Sequence, residues 1–308
     1  MTTAVTRTLR VRHVTRYHYD RDVERSIHQA HLRPTHDRFQ TLDDYRLAIS
    51  ALPERDVPHV GYEDAFGNES TRFELADPYR ELTVTAESTV TLVDVDPYAI
   101  TVVPKRPTIP LNWMPRERLA LGPYLQSQEL PDPQIDALFD YVMAIVDDNG
   151  GDLLESLFAL NLKLFHDFEY VPGSTSNATT PFETFSTKRG VCQDFAGLFI
   201  TLIRLIRVPA RYVCGYLYTG NADSDAQAAG RAPSDATHAW LQVYLPYVGW
   251  KSFDPTNGVL PRLDHVRLAV GRNWRDTAPI TGTLFGESAT ETLEATVEVW
   301  AESLKPEA

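Results

Sequence analysis

Lys188-Arg189-Gly190-Val191-Cys192-Gln193-Asp194-Phe195-Ala196-Gly197-Leu198-Phe199-Ile200 is the stretch on which the fold turns. From Phe195 onward, apolar residues recur at Leu198, Phe199, Leu202, Leu205 and Ile206, the 3.6-residue stripe of a helix buried against something large. Cys192 therefore falls in or beside that helix's first turn, and Gly190 offers the backbone freedom for a sharp entry. The N–H groups of a helix start lack intrahelical partners and the dipole there is positive, so a thiolate is favoured over a thiol. Most cysteines are buried and inert, so position alone does not make a nucleophile.

Two downstream segments supply partners. Thr237-His238-Ala239-Trp240 opens an apolar–polar alternation, and Gly249-Trp250-Lys251-Ser252-Phe253-Asp254-Pro255-Thr256-Asn257 reads as a strand ending at Asp254. Pro246-Tyr247-Val248-Gly249 carries turn chemistry. In an antiparallel hairpin the start of one strand and the end of the next share an edge, which brings His238 and Asp254 within contact range, give or take a bulge or a small shift. The order Cys, His, Asp is that of an activated thiol: imidazole takes the thiol proton, and a carboxylate on the other ring nitrogen fixes the tautomer.

Gly190-Val191-Cys192-Gln193-Asp194-Phe195-Ala196, Arg211-Tyr212-Val213-Cys214-Gly215-Tyr216, His238-Ala239-Trp240 and Asp254-Pro255-Thr256-Asn257 together resemble the core of the bacterial transglutaminase-like superfamily, whose members are often described as cysteine proteases. The resemblance implies an α+β, papain-like core, with helices packed on an antiparallel sheet, and the triad Cys192, His238, Asp254. Tyr17-His18-Tyr19-Asp20, His31-Leu32-Arg33-Pro34 and Asp64-Ala65-Phe66-Gly67-Asn68 resemble the N-terminal β domain that often precedes this core.

The organisation of the chain agrees. Strand-like pieces fall near 8–19, 26–33, 44–51, 71–75 and 80–95 without an intervening helix, which predicts a β-sandwich-like domain over 1–103. Asp64 to Asn68 reads as a tight turn. Pro104, Pro107, Pro110 and Pro115 make 104–116 a stiff connector. The core then occupies 117–286. One helix starts at Asp132-Pro133, with Ile135, Leu138, Phe139, Val142 and Val146 on its face, and ends at Asn149-Gly150-Gly151. A second opens at Asp152 with Glu155, carrying Leu153, Leu154, Leu157, Phe158, Leu164 and Phe165; a short third opens at Thr180-Pro181-Phe182-Glu183. The aromatic and charged residues of 266–286 either line the cleft or pack behind it, and packing is the expectation. Residues 287–308 hold a terminal strand over 292–300 that returns to the β domain.

The 308 residues carry a net charge of −13 and 43% hydrophobic residues, which argues for a folded protein and against nucleic acid or anionic membrane as partners. The first residues lack a secretory signal's apolar core, and the richest apolar run is too short to span a bilayer, so a cytoplasmic location is the expectation. Cys214 reads as a buried strand residue. His13, His18, His28, His31 and His36 read as surface and cross-strand residues, because no acidic or cysteine cluster completes a metal set. Asn221, Asp223 and Asp225 mimic a calcium loop, but Ala226 and Ala232 stand where Gly and Glu are required. The loop 220–235 is then either a rim of the cleft or a solvated insertion. No metal or cofactor is expected.

The expected chemistry is thiol-dependent acyl transfer on an amide or peptide bond of a peptide or protein, hydrolysis ahead of transamidation. The Cys192 N–H is the first oxyanion donor; the second is Gln193, Trp240 or Tyr170. Asp194 is expected to turn from the sulfur toward Arg189 or a nearby basic residue. The competing class is a noncatalytic peptide-binding or assembly module, which loss of a triad member would mark.

Overall fold

The computed structural model describes residues 5–52, 55–94, 106–176, 178–220, 237–286 and 289–302. The N-terminal part contains β1 (Thr6–Val23), β2 (Arg25–Ala30), β3 (Gln40–Leu52), β4 (Arg55–Asp56), β5 (His59–Glu63), β6 (Glu69–Leu75) and β7 (Tyr79–Val93). Then come α1 (Pro115–Leu125), α2 (Asp132–Asp148), α3 (Leu153–Asp167), β8 (Glu169–Tyr170), α4 (Pro181–Thr187), β9 (Arg189–Gly190) and α5 (Cys192–Leu205). The chain continues through β10 (Ala210–Leu217), β11 (His238–Leu245), β12 (Gly249–Phe253), β13 (His265–Gly271), β14 (Ile280–Phe285) and β15 (Glu291–Ala301).

The β-rich part is two antiparallel sheets, ordered β15-β1-β7-β3-β4 and β14-β2-β6-β5. Alternating residues of β1 and β7 point inward, and Tyr17, Tyr19, Phe73, Tyr79, Leu82 and Val84 share one buried core. Its turn at Asp64 closes as read: Gly67 has φ +79°, and the Asp64 Oδ1 accepts the N–H groups of Phe66 and Asn68. The terminal strand β15 returns here and pairs with β1; β14, within the span expected for the core, also joins this part by pairing with β2. The histidines are more buried than expected. His13, His28 and His31 are at most 4% exposed, because each ring finds a partner: Tyr216 Oη at 3.0 Å, Ser26 Oγ at 2.9 Å and Asp64 Oδ2 at 3.2 Å.

In the second part α5 packs on the antiparallel sheet β12-β11-β10-β13, and α2, α3 and α4 pack around α5. Phe195, Leu198, Phe199, Leu202 and Ile206 are all buried there, as the stripe requires. The helix starts are built as the sequence indicates: the Asp152 carboxylate accepts from Leu154 and Glu155 N–H, and Thr180 and Glu183 cap one another. Phe139 and Phe165 depart from the expected faces, being 42% and 36% exposed. Phe165 lies instead against Gly258, where an added Cβ would come within 2.8 Å of its ring, and so supports the loop that follows β12.

The two parts meet along β13, the sheet's outer strand. The Gln40 amide accepts from the Arg267 N–H at 2.8 Å and donates to the Arg267 carbonyl at 2.9 Å. The Asn68 amide does the same for Val270, at 2.8 Å each way. Side chains of the β-rich part thus satisfy backbone groups that an edge strand otherwise leaves open, and they fix the position of β13.

Candidate active site

Cys192 is the first residue of α5 and is half-buried. The sharp entry depends on Gly190 for space rather than for unusual dihedrals, because a Cβ there would lie 2.8 Å from the Cβ of Asp194. Asp194 has the role of a helix cap: its carboxylate accepts from the Val191 N–H at 2.8 Å and the Thr175 hydroxyl at 2.6 Å. The expected pairing with Arg189 does not form, as Arg189 faces Glu169. The result is a helix start whose third residue is tied inward, leaving the Cys192 N–H without an intrahelical acceptor.

The hairpin β11–β12 delivers the other two groups. Its register pairs Leu241 with Phe253 and Leu245 with Gly249, centring the turn on Tyr247, which adopts φ +65°. This is one residue beyond the position that would put His238 opposite Asp254. Asp254 reaches back across the offset: its Oδ2 lies 2.9 Å from the Nε2 of His238. The Cys192 sulfur is within hydrogen-bonding reach of the same imidazole. Sulfur, imidazole and carboxylate are brought together from α5, β11 and the end of β12.

Asp254 is fully buried and accepts from every side. Oδ1 takes the N–H groups of Thr256 and Asn257, and Oδ2 takes the Asn257 amide at 2.7 Å and the Nε2 of His265 at 3.1 Å. Burial by itself would push the carboxyl pKa up, but His238 and the hydrogen bonds hold it well below the usual range. Burial likewise disfavours an imidazolium at His238, yet Asp254 and then Cys192 raise its pKa well above the ordinary value. The pair is therefore imidazolium and carboxylate. Cys214 is the opposite case, buried on β10 with its thiol pushed up to about 12 by burial.

His265, the first residue of β13, escapes sequence reading: no motif near Asp264-His265-Val266 marks it, and its place depends on β13 pairing with β10, Leu217 opposite His265. Burial lowers its pKa, so it stays neutral and donates through Nε2 to Asp254. The ligand atoms of His238, Asp254 and His265 lie within 4.8 Å of one another, a set that could hold a metal ion. Both Nε2 atoms sit at hydrogen-bond distance from one oxygen, and their protons account for the arrangement without an ion.

The three side chains considered as oxyanion donors separate. Trp240 is fully buried, its ring stacked on His238 with centroids 5.9 Å apart, and its indole nitrogen is closed off from solvent. It supports the imidazole from behind and does not face a substrate. Tyr170 is paired through β8 with Gly190 on β9, half-buried, with its phenol raised to about 12 by burial and by the charge of Cys192. Gln193 follows the sulfur on α5. The calcium-like residues 221–232 lie outside the described residues.

An α+β fold with a cysteine at a buried helix start, facing a histidine and an aspartate on an antiparallel sheet, defines the transglutaminase-like class. Residues 141–255 match the model of the transglutaminase-like superfamily, and residues 9–91 match that of the bacterial transglutaminase-like N-terminal region. An uncharacterized protein of Mycobacterium tuberculosis is 31% identical over 299 residues, covering 94% of this chain and 91% of its own. One from Mycobacterium leprae is 29% identical over 294 residues, covering 94% and 98%. The chain belongs to the transglutaminase-like superfamily and carries the N-terminal region of its bacterial members. The crystal structure of a "putative cysteine protease" from Cytophaga hutchinsonii shares the fold, with a TM-score of 0.72 at 21% identity, covering 99% of this chain and 93% of that one.

Proposed function

We propose that the protein is a thiol-dependent acyl-transfer enzyme acting on an amide or peptide bond, with Cys192, His238 and Asp254 as its triad. The observation that carries this reading is the 2.9 Å contact between His238 and Asp254 beneath the Cys192 sulfur. The thiol proton already rests on His238 as the imidazolium, and the sulfur attacks the amide carbonyl as thiolate. The oxyanion is met by the Cys192 N–H and by Tyr170 or Gln193; Tyr170 stays protonated and so keeps a proton to donate. His238 returns its proton to the leaving amine as the C–N bond breaks, giving a thioester and free amine. Water, deprotonated by His238, then attacks the thioester, yielding a carboxylic acid and restoring the thiol.

An amine in place of water would give transamidation, and hydrolysis is placed first. The test is incubation of wild type and Cys192→Ala with peptides containing internal glutamine, with and without a primary amine, read by mass spectrometry. Chain cleavage or a gain of about 1 Da from deamidation, absent in the variant, supports hydrolysis; amine incorporation supports transamidation. No product above the Cys192→Ala background with any peptide contradicts the reading.

A further inference from the structure

A cavity of about 410 Å³ begins at Gln193, next to the proposed nucleophile, and runs along one face of α5 past Gly197 to Arg204. Eleven residues separate its ends on the helix, about 16 Å at 1.5 Å per residue, the length of roughly five residues in extended form. Its size falls within the range of ligand sites.

Gly197 points to an occupant. Glycine within a helix carries an entropic penalty, and packing often explains it. Here an added Cβ would meet nothing within 4 Å. The protein itself therefore gives no reason for the missing side chain, whereas a chain laid along the cavity needs the close approach that it allows.

The charge at the far end indicates what the occupant carries. Arg204 is 7% exposed and donates to three carbonyls, those of Gln126, Ala210 and Arg272, and its Nε is closed off from solvent, so it gives the far end its positive charge rather than a free donor. Arg275 lies over the Trp274 ring at the rim, and among the described residues neither arginine bonds a carboxylate. Of the lining carboxylates, Asp276 is paired with Arg272, and Asp194, whose partners are the neutral Val191 N–H and Thr175 hydroxyl, lies at the opposite end beside Gln193. The far end, with Arg204 and Arg275 beyond the Arg272–Asp276 pair, is cationic.

We propose that this cavity is the subsite for the polypeptide flanking the scissile amide, and that it takes an extended segment over Gly197 with a carboxylate directed to Arg275, in the field of the buried Arg204. The assignment rests on Cys192 being the nucleophile. The test uses N-chloroacetyl pentapeptide amides ending in Glu or in Gln, and the Gln peptide with a free terminal carboxylate, with labelling of Cys192 followed by intact mass against iodoacetamide. Iodoacetamide, too small to fill the cavity, reports thiol reactivity alone, so a labelling rate indifferent to His238→Ala would count against the triad rather than the subsite. The ratio of peptide-probe to iodoacetamide rates reports the subsite. The ratio is expected to be at least tenfold higher for a carboxylate probe than for the neutral one, and to lose that advantage in Arg275→Glu and Gly197→Leu. Gly197→Ala is expected to raise the melting temperature while lowering the ratio. A preference confined to the free terminal acid assigns a chain end, and one shared with Glu assigns a carboxylate in either place. Equal ratios for all three probes, or ratios unmoved by substitutions at Gly197, would overturn the proposal.

Discussion

The Nε2 of His265 and the Oδ2 of Asp254 lie 3.1 Å apart, on the same oxygen that faces His238 at 2.9 Å. A neutral imidazole thus steadies the carboxylate from the side away from the sulfur, and the β-rich part of the chain fixes the strand that carries it. The proposed triad is one end of a buried network that crosses between the two halves of the molecule.

That network predicts a difference between two replacements of His265. His265→Gln keeps an N–H donor near Asp254, whereas His265→Leu leaves the carboxylate short of one hydrogen bond, a loss of about 1.5–3 kcal/mol for a charged acceptor. Alkylation of Cys192 by iodoacetamide at pH 6 is expected to fall roughly three- to tenfold in the leucine variant and to recover in the glutamine variant. Equal rates in both, with equal losses of melting temperature, would reduce His265 to a packing residue.

Gly215 is the second position where the network shows its tolerance. It lies on β10, and an added Cβ would sit 2.0 Å from the Val266 carbonyl oxygen and 2.5 Å from the Trp240 ring that backs His238. Neither the strand pair nor the fully buried indole can yield cheaply. Gly215→Ala is expected to destabilise the fold by about 3 kcal/mol, at the upper end of overpacking costs, and to slow Cys192 alkylation as Trp240 shifts. Urea unfolding checks the first effect; an unchanged midpoint would mean that β13 moves freely.

Stability should depend on pH through His13 and His28. Burial lowers both to about 4 from an ordinary 6.5, so between those values the unfolded chain binds more protons than the folded one. Their contribution is complete above pH 6.5 and is lost as the pH falls toward 4, on the order of 2 kcal/mol each by pH 5. His238 has a raised pKa and works in the other direction, losing its contribution only as the pH rises through the folded value. Melting temperatures measured from pH 7 to 4.5 should fall, and less steeply in His13→Gln; parallel curves would contradict the assignment.

Much of the site can be read from the chain because its parts sit on local periodicities. The α5 stripe places Cys192 at a helix start, and two alternating runs joined by Pro246-Tyr247 place His238 and Asp254 at one edge of a hairpin. What escapes reading depends on long-range pairing or on packing. His265 acquires its role through β13 lying beside β10, and Trp240 is set behind His238 by the depth of the sheet. His13 and His28 look like surface or cross-strand residues until Tyr216 of β10 packs over the first and Phe73 stacks on the second, whereas His18 stays exposed. Helix α1 has little apolar periodicity and holds Pro123, and β5 is exposed along its whole length, so neither announces itself.

The most direct test is the pH dependence of Cys192 alkylation in wild type and His238→Ala, followed by intact mass. An imidazolium held by Asp254 beside the sulfur predicts rapid labelling that persists well below the usual thiol pKa of about 8.5, and a loss of roughly thirtyfold or more at pH 6 in the variant. Labelling that titrates as an ordinary thiol in both proteins, or that falls on Cys214, would contradict the account.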